Sequence, residues 1–155
     1  MPPVVPSTMA AELAAAGLDP AKLPPLSEMD KETLKKIMPT FAHALGMGCT
    51  DCHIPHQFAA PTEMKAVAAG MWDHFVTKLS RADGSLLYCD SCHQGKRKPL
   101  VRTDLAALKF AMDQQYGDGL KRRDGVANDC GTCHGEPFHP QIERDLWKAR
   151  TTSSE

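Results

Sequence analysis

Aromatic residues are scarce: five Phe, two Tyr and two Trp make up 6 % of the 155 residues. A core built mainly on ring packing is therefore unavailable, and any other large flat apolar surfaces must come from outside the sequence. No stretch approaches the ~20 apolar residues that cross a bilayer, which excludes a helical span within this sequence. Cysteine is absent outside three short motifs, leaving none for a separate disulfide framework or a lipid anchor. Convincing period-two alternation is missing too, so no extensive sheet is expected. A formal charge of −1, with basic residues scattered apart from Lys96 to Lys98 and Lys121 to Arg123, gives nothing that points to nucleic acid.

What is present is one five-residue pattern, three times over. Cys49-Thr50-Asp51-Cys52-His53, Cys89-Asp90-Ser91-Cys92-His93 and Cys130-Gly131-Thr132-Cys133-His134 each read C-x-x-C-H. This is a c-type haem attachment pattern, in which the thiols add across the vinyl groups and the histidine ligates iron. One helical turn lets both thiols reach the same porphyrin edge and sets the next residue beneath the metal. A Cys₄ zinc ribbon would use two pairs, strand the third and leave the histidines unexplained. A disulfide framework would have to consume haem-spaced thiols. The expectation is three covalently bound haem c groups on Cys49, Cys52, Cys89, Cys92, Cys130 and Cys133, with His53, His93 and His134 as proximal ligands. The porphyrins then supply the missing flat apolar surface, and their propionates take the holoprotein to roughly −7.

Covalent haem attachment takes place after export. The start, MPPVVPSTMAAELAAAGL, has neither a basic n-region nor a continuous apolar h-region. An export signal missing from this sequence is therefore expected, with the mature protein periplasmic or extracellular. Any membrane association would run through partners, or through a segment missing from this sequence.

The expected fold is mainly α with much irregular structure, three helix-plus-haem units packed around the haems. Residues 1–26, rich in Pro and Ala, read as an extended arm, either a flexible tether or a strap on a partner or a neighbouring haem. One or two helical turns at 10–17 would end at Gly17. The haem domain is then 27–155, in units of about 27–60, 61–102 and 103–155. Ser27 with Asp30 resembles a capping box for a first helix reaching Gly46, kinked at Pro39. A second helix is expected from Pro61 through Leu79, a third from Thr103–Asp104 to Gly117, and a short last one after Pro140 with Ile142, Leu146 and Trp147 on one face.

The first cysteines stand at 49, 89 and 130, so a unit of about 40 residues recurs. Units two and three align residue by residue. Met71 and Met112 lie eighteen before their first cysteine, Phe75 and Tyr116 fourteen before, Asp83-Gly84 and Asp124-Gly125 six and five before. In the first unit Met38 stands only eleven before Cys49.

Met38, Phe41, Ala44, Leu45 and Gly46, followed by Cys49 to His53, resemble the M-x-x-F-x-x-A-L-G-x-x-C-x-x-C-H of the photosynthetic reaction centre cytochrome c subunit and its relatives. Cys89 through Pro99 fits the C-x-x-C-H-x-G-x-x-x-P of the same family. The resemblance implies a helix along each haem plane and a methionine as sixth ligand, which here gives Met38, Met71 and Met112. A fourth motif, present in that family, is absent from this sequence. His43, His56, His74 and His139 remain competing ligands; His74 follows Met71 by three residues, on the same face of a regular helix. Lys96-Arg97-Lys98 would pair with propionates, dock an acidic redox partner, or simply be solvated.

The function expected is single-electron transfer through six-coordinate haems between redox proteins, one of them a membrane-bound complex. The protein is then a carrier and not an enzyme. Two alternatives stand beside it: an open haem reducing a small nitrogen or oxygen species, and a subunit of a haem filament.

Overall fold

The N-terminal segment is packed, against the expectation of an extended arm. The computed structural model describes residues 2–148. In it, helix α1 (Ala10–Ala15) buries Leu13 completely. Met9, Leu13 and Ala16 form one helical stripe, and with Leu23 they join Ile37, Trp72, Val76 and Tyr88 in the main apolar cluster. Three aromatic rings meet here: Phe41 stacks on Trp72 at 5.6 Å and Tyr88 meets Trp72 edge-on at 5.6 Å. Residues preceding α1 are strapped to the second motif. Val5 N–H donates to the Ser91 carbonyl at 3.0 Å, Ser7 Oγ to Asp90 Oδ1 at 2.6 Å, and Thr8 N–H to Asp90 Oδ2 at 2.8 Å.

After a 3₁₀ turn, Leu26–Glu28, helix α2 (Lys31–Leu45) starts at Asp30, not at Ser27. Asp30 Oδ1 accepts from the N–H groups of Glu32 and Thr33 at 2.9 Å each, pairing two of the donors a helix start leaves bare. Pro39 sits within α2, which continues to Gly46 in left-handed conformation. Ile37, Thr40 and Ala44 are its buried face, and Thr40 Oγ1 lies 2.6 Å from the Tyr88 hydroxyl.

The first motif forms helix α3 (Cys49–Cys52). Thr62 caps helix α4 (Glu63–Met71), which passes into a π-helical turn, Trp72–Val76. Strand β1 (Leu79–Arg81) then takes Leu79, so the second helix stops short of the expected end. The second motif is helix α5 (Cys89–His93). Asp104 caps helix α6 (Leu105–Ala111), followed by a π turn, Met112–Gly117, and strand β2 (Leu120–Arg122). Helix α7 (Cys130–His134) is the third motif, and a last π turn spans Glu143–Trp147. Trp147 lies flat on α4 at Gly70, where a Cβ would overlap its indole.

The antiparallel pair β1–β2 was not expected from the sequence. Its register, Leu79 with Arg122, Ser80 with Lys121 and Arg81 with Leu120, relates units two and three by a local two-fold passing between Ser80 and Lys121. Repeat equivalents are 41 apart, so Leu79 and Arg122 on one side correspond to Leu120 and Arg81 on the other. The flanking bonds obey the same operation: Ala82 N–H donates to Gly119 O at 2.9 Å, and Arg123 N–H to Lys78 O at 2.8 Å. A second apolar cluster of Leu79, Leu87 and Leu120, flanked by Phe75 and Tyr116, sits beside this ladder.

Candidate haem-binding sites

Each motif is one short helix whose start is fixed in the same way. The residue before the second cysteine accepts from the N–H of the residue before the first: Gly48 N to Asp51 Oδ2 at 2.7 Å, Tyr88 N to Ser91 Oγ at 3.1 Å, Asp129 N to Thr132 Oγ1 at 3.2 Å. Short side chains with an oxygen acceptor at that position hold both cysteines on one turn. Asp51, Ser91 and Thr132 do not stand out by residue type; the signal available was a shared acceptor in three otherwise different x-x pairs.

Each motif histidine is oriented by a backbone carbonyl. His53 Nδ1 donates to Phe58 O at 3.0 Å, His93 Nδ1 to Lys96 O at 2.9 Å, and His134 Nδ1 to His139 O at 2.6 Å. A carbonyl oxygen only accepts, so Nδ1 carries the proton and the Nε2 lone pair is left for a metal. Burial also lowers the His93 pKa, favouring the neutral, ligating form. Phe58 and Phe138, both exposed, lie beside the His53 and His134 rings at 5.5 and 4.4 Å.

All six cysteines are free thiols. Burial pushes Cys89 up to about 12 and Cys92 and Cys133 each to about 11, and it raises Cys52 as well. Paired thiols on one turn beside an imidazole with Nε2 available are the donor set that a covalently held haem requires, so the residues fit the group.

Met38 is half-buried at the main cluster, to which Cys89 also belongs. Met71 ends α4 and Met112 opens the equivalent π turn; both are half-buried. Met64, Val67 and Met71 share one helical stripe, and Leu105, Leu108 and Met112 are its repeat equivalents. Leu105 is 73 % exposed, a large apolar side chain without a protein cover. Of the competing histidines, His43 and His56 are exposed and His139 is the carbonyl partner of His134. His74 stacks on Trp147 at 5.8 Å and lines a cavity of about 540 Å³ together with Lys78, Arg122, Arg123 and Thr132 of the third motif. His74, of the second unit, thus shares this cavity with Thr132 of the third motif.

Residues 37–145 match the family model described as cytochrome c7 and related cytochrome c. This covers most of the chain and all three motifs. No curated protein and no solved structure matches. The match carries the broad resemblance, to a multihaem c-type cytochrome, and not the narrower one to the reaction centre subunit.

Proposed function

The chain belongs to the cytochrome c7 and related cytochrome c family, and from that premise we propose that it carries single electrons between redox proteins through six-coordinate haems. Its three C-x-x-C pairs hold three covalent c-type haems, and a small multihaem electron-transfer cytochrome is what the family is. When bound, each haem supplies an iron that alternates between ferric and ferrous states. The observation that supports the proposal best is the repeated Nδ1–carbonyl bond, which holds each imidazole in one tautomer and one orientation. A fixed proximal ligand limits rearrangement when the metal changes charge. The three units of about 27–60, 61–102 and 103–155 are kept in this proposal, with residues 9–23 packed against them.

Met38, Met71 and Met112 are proposed as the sixth ligands, the scheme the reaction centre resemblance implies. The matched apolar stripes ending at Met71 and Met112 support it, because a flat apolar face fits such a stripe. Thioether sulfur opposite histidine favours the ferrous state and raises the potential. A second assignment is favoured by the cavity: His74, which lines it together with Thr132, would reach across units to the third haem. Met112→Ala and His74→Ala separate the two. Under the methionine scheme Met112→Ala weakens the far-red absorption that a sulfur ligand gives ferric haem, lowers one of three potentials and opens one iron to carbon monoxide. If His74→Ala does this and Met112→Ala does not, the methionine scheme fails at that site.

Export to the periplasm or beyond, and exchange with a membrane-bound complex, complete the proposal. No helix among the described residues is long and apolar enough to cross a membrane. Intact-mass measurement of denatured protein should exceed the 16.9 kDa chain by three haem masses. Rapid carbonyl formation in the unmodified reduced protein would instead favour an open haem enzyme, and concentration-dependent long assemblies would favour a filament.

A further inference from the structure

The loop 94–98 holds three consecutive cations at the junction of the first two motifs. Gly95 N–H donates to Ala44 O at 2.9 Å, and Gly46 lies so close to Gly95 that a Cβ on it would overlap the Gly95 carbonyl. The same loop supplies Lys96 O to His93 Nδ1. Ala44 and Gly46, which the loop meets, lie just before Cys49 of the first motif. Lys96, Arg97 and Lys98 are exposed, and none has a carboxylate within ion-pair distance among the described residues. Nearby acids are already engaged: Asp51 accepts from Gly48 N–H, and buried Asp90 accepts from Ser7 and Thr8.

We propose that Lys96, Arg97 and Lys98 form the docking surface for an acidic redox protein, and that electrons enter or leave through the first two motifs. An unpaired cationic loop on a nearly neutral chain, which becomes anionic once haem carboxylates are added, is a local inversion of field. Such an inversion orients a carboxylate-rich partner during encounter and raises its association rate. The loop is also rigidly tied to both motifs, so an acidic surface docked on it lies against the two sites together. This inference rests on the electron-carrier proposal.

The test uses the full three-haem protein, reduced and mixed by stopped flow with hexacyanoferrate(III), then with tris(phenanthroline)cobalt(III), at low ionic strength. K96Q/R97Q/K98Q is compared with K22Q/K31Q/K36Q, which removes the same charge from exposed lysines elsewhere. The loop variant should react with the anionic oxidant about threefold or more slowly than its control, and faster with the cationic one; added salt should erase both differences. The charge-conserving K96R/R97K/K98R should keep the parent rates. Equal rates in loop variant and control would overturn the inference. Faster reaction with both oxidants would overturn it too, since loss of cations that pair with haem carboxylates lowers the haem potential and raises the driving force for oxidation by either reagent. Failure of the parent protein to exchange electrons with either reagent would defeat the carrier proposal itself.

Discussion

Leu13→Ala tests most directly whether the N-terminal segment belongs to the folded core. Leu13 is fully buried, flanked by Met9 and Ala16 on α1 and packed in the cluster of Ile37, Trp72, Val76 and Tyr88. Truncating a buried leucine removes transfer free energy and leaves a cavity, together about 2–5 kcal/mol. The gain in helix propensity from alanine is only ~0.2 kcal/mol, far too small to offset it. Against a typical total of about 5–15 kcal/mol, the loss would be plain in a urea melt of the holoprotein followed by far-UV circular dichroism. The midpoint should fall with little change in slope. Glu12→Ala, one residue away and exposed, is the control and should move stability by no more than about 0.5 kcal/mol. If Leu13→Ala behaves like Glu12→Ala, α1 is not part of the core, and the extended arm expected from composition is the better description.

Gly46→Ala should destabilise by more than the ~1 kcal/mol that left-handed alanine costs, because its methyl meets the Gly95 backbone, which cannot swing aside as a side chain can. Urea melts of this variant beside Gly84→Ala, which also has positive φ but open space, isolate the contact; equal losses would refute it. Tyr88→Phe should cost about 1 kcal/mol by removing the hydroxyl that meets Thr40 Oγ1. A double-mutant cycle with Thr40→Val should show coupling, and strictly additive losses would mean that the two hydroxyls do not interact.

The haem motifs and the helices that lead into them were legible because their signals are local. Thiol spacing lies within one turn, and Asp104 and Gly46 cap or end helices with their own chemistry, whereas the second helix starts from a Thr62 cap and not at Pro61. The β1–β2 pair was not legible: Leu-Ser-Arg and Leu-Lys-Arg are too short to show alternation, and their pairing depends on two units meeting across 41 residues. Burial of α1 escaped for a related reason. A Pro- and Ala-rich composition describes the segment's own weak propensity, whereas Leu13 is held in a cluster with Ile37 of α2, Trp72 and Val76 of the π turn after α4, and Tyr88. At the helix start, Ser27 with Asp30 matched a capping box by spacing, but the backbone turn at Leu26–Glu28 takes up Ser27 and leaves Asp30 as the cap. The imidazole partners are backbone carbonyls, which no residue pattern announces.

The two-fold ladder between the second and third units sets a limit on the architecture. Units joined by a screw can be added without end, as in a solenoid, but a contact that maps onto itself is saturated by two members. Ser80 already faces its own counterpart, Lys121, so no further unit can dock through that register. The first unit accordingly attaches elsewhere, through the Gly46–Gly95 approach, and breaks the symmetry. Growth of this chain into a longer conductor would need an interface of another kind: lengthening by repetition stops at the axis.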